Sequence, residues 1–277
     1  MRCIILHGHI FKNAGTTFDW SLHNNFGEGF LDHREDVLMR RDGCNHLRDL
    51  VNTTPGLNAI SSHSMTRSLP RLPGVEFMPA YILRHPIARI RSVYTFERRQ
   101  LANTPGARAA KLKNFRDYVG WRMQADVART IRNYQTVYLA GRHGATADAD
   151  IAARFFAQAL ENLGSSPLVG TVEDYDRTMV LFEETLKTRF PQIDLSYIAQ
   201  NVSGGKIPPG SDTGDEAVAR ILTDLGGLQK QVIDENSFDL ALYQAAVHRM
   251  NSRVDQITDF TDKLADFRAR CQRRLLC

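Results

Sequence analysis

Short runs of aliphatic residues alternate along this chain with segments of helical spacing. The stretch "RCIILHGHI" (2–10) is β-prone and ends at a turn around Lys12. The following "TTFDWSLHNN" (16–25) places Phe18 and Leu22 on one helical face. The chain therefore opens with a predicted strand, a tight turn and a helix.

The same strand-to-helix pattern returns further along the chain. Strand-like patterns occur at "LNAISSH" (57–63) and "PAYILRH" (79–85), and the second leads through Pro86 into "IARIRSVYTFERRQLA" (87–102). Proline suits the first turn of a helix, because its missing N–H has no partner there in any case. A further strand is predicted at "PLVGTVEDY" (167–175).

Most of the remaining sequence has helical periodicity. Helices are predicted within 115–128, 148–163 and 176–190, and a loop rich in Gly, Pro and Ser (200–215) precedes a helical C-terminal extension over roughly 214–277. Strands that alternate with helices favour a parallel sheet covered by helices. We predict an α/β fold, with a P-loop-like parallel sheet flanked by helices, in one domain over 1–277.

Composition narrows the class of protein. The chain has 277 residues, 43% of them hydrophobic and 24% charged, which is enough for one substantial core. The net charge of +4 suits anionic ligands but is too small to indicate nucleic-acid binding. No apolar run reaches membrane-spanning length, so we predict a cytoplasmic protein. The cysteines, which have neither disulfide nor metal-site spacing, are Cys3, Cys44, Cys271 and Cys277. We therefore predict no metal.

The opening turn, "HIFKNAGTTF" (9–18), has features of an anion site. A strand that feeds a helix N-terminus presents unpaired N–H groups and the positive end of the helix dipole. Lys12 adds a full charge, and Thr16 and Thr17 add hydroxyl donors. The alternative is an ordinary turn with a solvated lysine. The segment is not a Walker A motif, because its lysine precedes the glycine.

A second junction, "YILRHPIARIRSVYTFERRQ" (81–100), offers a complementary group of donors. Arg84 stands at the predicted carboxyl end of a strand, and Ser92 lies about two turns into the next helix. Together they can bind a phosphomonoester through a guanidinium and a hydroxyl. The alternative is that Arg84 pairs with a neighbouring acidic residue.

These two segments resemble a known family. The first is similar to the 5′-phosphosulfate loop of sulfotransferases that use 3′-phosphoadenosine 5′-phosphosulfate, in the branch of the heparan sulfate 2-O- and 6-O-sulfotransferases. Phe11 and Asn13 stand where that branch usually has proline and threonine. The second segment resembles the 3′-phosphate element, with Arg84 and Ser92 matching and His85 in place of the usual aspartate. The resemblance suggests a bacterial-type member.

The resemblance implies a donor nucleotide and the residues that hold it. Lys12 would stabilise charge on the leaving phosphate, while Lys206, in the Gly-rich loop, would reach a phosphate or remain solvated. The implied donor-binding set is Lys12, Asn13, Ala14, Gly15, Thr16, Thr17, Arg84, Ser92 and Lys206.

A base must also accept the proton of the acceptor hydroxyl. His63 follows a predicted strand, where open α/β sheets bind ligands, and "SSHSM" (61–65) resembles the family segment with the histidine base. The alternative is a histidine that caps the strand. His7 and His9 are predicted on one face of the sheet, with His9 a second candidate for the site.

Acceptor recognition is less specific. Four arginines could form a basic rim that binds an acidic glycan, and the alternative is that they are ordinary solvated charges. They are Arg67, Arg71, Arg98 and Arg99. The sequence thus predicts a sulfotransferase that acts on a hydroxyl acceptor, which the resemblance implies is a saccharide, with no nucleic acid and no membrane span. The alternatives are a non-catalytic nucleotide- or glycan-binding protein and a nucleotide-dependent kinase.

Overall fold

A parallel β-sheet forms the centre of the molecule. The computed structural model describes residues 1–141, 151–200 and 214–276. Within these ranges the sheet has five strands in the order β2-β3-β1-β4-β5, all parallel. The strands are β1 (Arg2–Gly8), β2 (Phe30–His33), β3 (Ala59–Ser62), β4 (Val75–Leu83) and β5 (Leu168–Thr171).

Helices flank the sheet and make up the C-terminal portion, so the predicted α/β fold class is confirmed. The helices are α1 (Gly15–Phe26), α2 (Asp36–Thr53), α3 (Pro86–Arg99), α4 (Pro105–Leu112), α5 (Phe115–Arg122), α6 (Tyr134–Leu139), α7 (Ile151–Ser165), α8 (Tyr175–Leu186), α9 (Asp215–Leu225), α10 (Gln229–Asp234), α11 (Ser237–Val254) and α12 (Phe260–Leu276).

The central strand β1 is buried on both faces, which explains its continuous apolar run. Ile5 joins the core beneath α1, α8 and α12, whereas Ile4 and Leu6 pack towards Leu47 and Val51 of α2. The C-terminal helices are distributed over the body of the protein, because α9 contacts α3 and α5, α11 contacts β5 and α12 contacts α8.

The strand order creates a crevice beside β1. From β1 the chain continues to β2 at one edge of the sheet, and from β4 it continues to β5 at the other edge. Since neighbouring strands β1 and β4 send their connections in opposite directions, their carboxyl ends form the position at which open α/β sheets bind ligands. The two segments with predicted anion-binding residues, after β1 and after β4, both lie there.

The structure departs from the predicted elements in a few places. Strand β2 was missed because it is a short edge strand, and β4 begins at Val75, before the Pro79 at which the pattern placed it. Helix α5 ends at Arg122, although 115–128 was predicted helical. Beyond it, the carbonyls of Gln124 and Val127 accept hydrogen bonds from the guanidinium of Arg132.

Two predictions about composition can be compared with the structure. In the part of the chain that is described, no helix is both long and apolar enough to cross a membrane. Cys3, Cys44 and Cys271 are free thiols. Cys277 lies outside the described residues.

Candidate functional site

The loop between β1 and α1 has an unusual backbone. Lys12 and Ala14 both have left-handed geometry, with φ of 66° and 59°. Such a conformation costs a non-glycine residue about 1 to 3 kcal/mol, and it is retained only where its surroundings enforce it. The N–H groups of Gly15 and Thr16, in the first turn of α1, find no acceptor among the described residues. They are therefore available to an anion.

The side chain of Asn13 anchors this loop. Its Nδ2 donates to the carbonyl of Ile82 at 2.9 Å and to Oε1 of Gln135 at 2.6 Å. The same Gln135 oxygen accepts the N–H of Arg84 at 2.9 Å, and Gln135 Nε2 donates to the Arg84 carbonyl at 2.9 Å. The amide of Gln135 thus joins the two loops. Because the side-chain N–H groups of Asn13 are used in these contacts, its predicted role in binding the nucleotide would fall to its backbone.

Cationic side chains converge on the loop. Arg84 Nη1 donates to the carbonyl of Lys12 at 3.2 Å, and Arg89 Nε donates to that of Phe11 at 3.0 Å. Burial lowers the pKa of Lys12 to about 8, with smaller contributions from the charges of Arg84 and Arg89. Lys12 Nζ lies 4.6 Å from the centre of the Phe96 ring. An anion at this loop would relieve the repulsion among these charges.

Arg89 is a site residue that the sequence analysis missed. It is buried in α3, donates to the Thr130 carbonyl at 2.9 Å and lies over the ring of Tyr134 at 4.2 Å. Its Nη2 has no hydrogen-bond partner in the described ranges. The available signal was helical spacing, because Arg89, Ser92 and Phe96 share one face of α3.

Ser92 is half-buried in α3. Helical spacing puts it on the same face as Arg89, which contacts the Phe11 carbonyl, and Phe96, which packs edge-on against the Phe11 ring at 5.4 Å. Phe11 is therefore held by aromatic packing against Phe96.

The predicted threonines differ in their surroundings. Thr16 is exposed at the start of α1. Thr17 is buried, and its Oγ1 accepts the N–H of Gln200 at 3.1 Å. Lys206, in the segment after Gln200, lies outside the described residues.

His63 follows β3 directly and is half-buried. Its Nδ1 lies 2.8 Å from the carbonyl oxygen of His9. Because a carbonyl only accepts hydrogen bonds, Nδ1 carries the proton and Nε2 keeps its lone pair. Burial, and then the nearby His9, lower the pKa of His63, so its neutral form prevails at neutral pH. This is the form that a general base requires.

A buried cluster of two histidines and an aspartate packs against His63 through the ring of His9. His7 Nδ1 lies 2.6 Å from Asp19 Oδ1, and His9 Nδ1 lies 2.8 Å from Oδ2 of the same carboxylate. Both histidines therefore reach one face of the sheet, as predicted. The His9 ring lies 4.1 Å from that of His63, and a Cβ at Gly15 would come within 2.3 Å of His9. Gly15 is thus required for close packing.

His85 begins the junction from β4 to α3. Its N–H donates to Oε1 of Glu173 at 3.0 Å, and its ring packs edge-on against Tyr243 at 5.3 Å. Burial raises the pKa of Glu173, while the hydrogen bond from His85 and the charge of Arg84 oppose that change. The sequence reasoning did not identify Glu173, which follows β5.

The arginines of the predicted basic rim do not share one environment. Arg67 donates to the Tyr138 carbonyl at 2.7 Å and stacks on that ring at 4.2 Å, so it serves the loop structure. Arg98 donates to the Tyr94 hydroxyl at 2.6 Å. Arg71 and Arg99 are exposed.

Comparison with known proteins adds one distant relative. A curated protein of Archaeoglobus fulgidus, described as an uncharacterized protein, is 28% identical over 253 residues. The alignment covers 89% of this chain and 96% of the relative. No protein-family model matches the chain. The similarity therefore extends through nearly the whole of both proteins, but the description of the relative indicates no activity.

Proposed function

We propose that this protein is a sulfotransferase that moves a sulfuryl group from 3′-phosphoadenosine 5′-phosphosulfate to a hydroxyl acceptor. The observation that carries the proposal is the convergence of Lys12, Arg84 and Arg89 at the crevice beside β1 and β4. These cations surround a loop with free N–H groups, which suits a multiply anionic ligand. The sequence resemblance supplies the identity of that ligand.

The two loops have separate tasks in the proposed donor site. The β1–α1 loop, with Lys12 and the first N–H groups of α1, binds the 5′-phosphosulfate. Arg84 and Ser92 bind the 3′-phosphate. As the bond between sulfur and the bridging phosphate oxygen breaks, charge grows on that oxygen, and the Lys12 ammonium stabilises it.

His63 acts on the acceptor. Its Nε2 accepts the proton of the acceptor hydroxyl while that oxygen forms a bond to sulfur. The hydrogen bond from Nδ1–H to the His9 carbonyl holds the ring in the required tautomer. The products are a sulfate monoester and 3′-phosphoadenosine 5′-phosphate, and the proton remains on His63 until solvent removes it.

The acceptor class and location are part of the same proposal. We propose a saccharide acceptor, because the family resemblance points to carbohydrate hydroxyls. A cytoplasmic site of action suits the free thiols of Cys3, Cys44 and Cys271, since reducing compartments keep thiols free.

The proposal is tested by transfer and binding measured side by side. Labelled donor is offered with a panel of glycans to the wild type, Lys12→Ala and His63→Ala. We expect Lys12→Ala to lower kcat/KM by about 10² to 10³. His63→Ala should lower transfer by about 10² to 10⁴ while it retains binding of 3′-phosphoadenosine 5′-phosphate. The controls are exposed residues of the same types, Lys111→Ala and His248→Ala.

The other outcomes separate the alternatives. Binding of the bisphosphate without transfer to any acceptor would favour a non-catalytic binding protein. Transfer of phosphate from ATP would favour a kinase. If the wild type does not bind the bisphosphate at all, the proposed donor site is wrong.

A further inference from the structure

A pair of histidines lies at the β2 edge of the sheet, separated from β4 and Arg84 by strands β3 and β1. His33 ends β2 and is buried, and His46 lies in α2 and is half-buried. Their Nε2 atoms are 2.8 Å apart. A carboxylate oxygen of Glu35 and the two ring nitrogens all lie within 4.8 Å of one another. Two imidazoles and one carboxylate thus share a small volume.

The local chain geometry produces this grouping. Glu35 immediately precedes α2, and only two residues, Arg34 and Glu35, separate the end of β2 from the start of α2. Within α2, Gly43 has non-helical geometry with φ of 42°, so the helix is kinked before it reaches His46. A side chain at Gly43 would be strained, and its Cβ would lie 3.3 Å from Thr66 Oγ1. The kink in α2 therefore requires glycine at position 43.

The donor set suits a borderline divalent cation. Neutral imidazole nitrogen and carboxylate oxygen bind Zn²⁺ at about 2.0 to 2.2 Å, and three protein ligands leave a fourth position for water. Two nitrogens on a tetrahedral ion lie about 3.3 Å apart at those bond lengths. The pair would have to open by about half an ångström. Glu35 is exposed and His46 half-buried, so both can adjust.

The surroundings of His33 also fit ligation. Its Nδ1 lies 3.5 Å from the hydroxyl of Ser62, a second contact of the type that orients metal-bound histidines. Oδ1 of Asp36 is buried without a hydrogen-bond partner in the described part of the chain, and its charge adds to the negative potential.

A second histidine cluster among the described residues differs in how its polar atoms are paired. In the group of His7, His9 and Asp19, each carboxylate oxygen already accepts a ring N–H. The carboxylate of that cluster is thus already paired with two rings. His33 and His46 instead share a hydrogen bond between their Nε2 atoms, in which one ring donates and the other accepts. A tautomer change in the donor ring would leave both nitrogens with lone pairs for an ion.

We propose that His33, Glu35 and His46 form a binding site for a divalent cation of the Zn²⁺ class, with one coordination position open to water. The ion would tie the start of α2 to the edge of the sheet. The site is independent of the proposed sulfuryl transfer, although Ser62, which contacts His33, directly precedes His63. It departs from the sequence-based prediction of no metal, which relied on cysteine spacing.

The test measures Zn²⁺ affinity of the full chain, without a purification tag and after removal of metal. Zn²⁺ is titrated in competition with a chromophoric chelator, and Co²⁺ is added separately to record its visible spectrum. We expect one ion per chain and Co²⁺ bands typical of four ligands. His46→Ala and Glu35→Gln should each weaken Zn²⁺ binding by at least about tenfold, because each removes a ligand. His248→Ala, on the exposed face of α11, should leave the affinity unchanged.

Folding of each variant is checked by far-UV circular dichroism in metal-free buffer. Glu35 is exposed, so Glu35→Gln tests the site even if His46→Ala destabilises the fold. If Glu35→Gln and folded His46→Ala both keep wild-type affinity, the ion binds elsewhere and the proposal is overturned. Failure of the wild type to compete with the chelator would overturn it as well.

Discussion

At the residue scale, the chemical state of Lys12 is the most informative property of the site. Its ammonium is half-buried, and no carboxylate forms an ion pair with it within the described ranges. Burial and neighbouring arginines disfavour its charged form, which brings its pKa to about 8. Lysines whose pKa is lowered in a crevice are common at functional sites, which makes Lys12 the first residue to test.

The pH dependence of kcat/KM should report Lys12 and His63 together. Lys12 must be protonated to stabilise the leaving phosphate, so the rate should fall as pH rises through about 8. His63 must be unprotonated, and its pKa is lowered, so the rate should fall only below pH 6.5, its ordinary value. A bell-shaped profile measured in the free-enzyme regime is expected.

Two variants separate the limbs of that profile. Lys12→Arg keeps the charge to much higher pH, so the basic limb should move by at least about two pH units. His63→Asn should remove the acidic limb from whatever transfer remains. A basic limb that is unchanged in Lys12→Arg would show that another group titrates near pH 8.

At the element scale, the β1–α1 loop keeps its left-handed residues because other elements hold it. Asn13 bonds to β4 and α6, while Arg89 of α3 binds the Phe11 carbonyl. These contacts come from distant parts of the chain. The loop conformation is thus a tertiary property, although its sequence lies within one short segment.

Asn13→Ala should release this anchor. The variant leaves the carbonyl of Ile82 without the Asn13 donor in a buried setting, so we expect a loss of about 1 to 3 kcal/mol in the free energy of unfolding. Urea denaturation measures the change. The matched control is Asn24→Ala, an exposed position of α1, which should change stability by less than about 0.5 kcal/mol. Equal effects in both variants would contradict the anchoring role.

The same scale shows what the sequence could predict. Hydrophobic patterns located β1, β3 and β4, and these placed Lys12, His63 and Arg84 at strand ends. The short edge strand β2 left no such pattern, and with it His33 was missed. Gln135 and Arg89 were missed because their partners, the loop carbonyls and amides, become neighbours only after folding.

At the scale of the whole molecule, helix α12 is joined to helix α8 by an ion pair whose carboxylate is buried. Arg270 of α12 donates to both oxygens of Glu183 in α8, at 2.9 and 2.8 Å, and Glu183 is 3% exposed. Leu195 also donates its N–H to Glu183 at 2.6 Å. The C-terminal helix therefore supplies the charge that Glu183 needs when it is buried.

Arg270→Ala tests the prediction of one domain over 1–277. Glu183 would lose its cation, so we expect stability to fall by about 3 kcal/mol, with a single calorimetric transition at a lower Tm. Arg268→Ala removes the exposed pair with Asp176 and should cost less than about 1 kcal/mol. A separate, early transition confined to the helical portion would contradict the single domain.

The side-chain amide of Gln135 affects how a ligand binds across the two loops. Because it bonds to Asn13 and to both backbone polar groups of Arg84, the two βα junctions are preorganised as one rigid cradle. A ligand that spans them meets donors already fixed in place, so little conformational entropy is lost on association. The ordering of these junctions is completed during folding, before any ligand arrives.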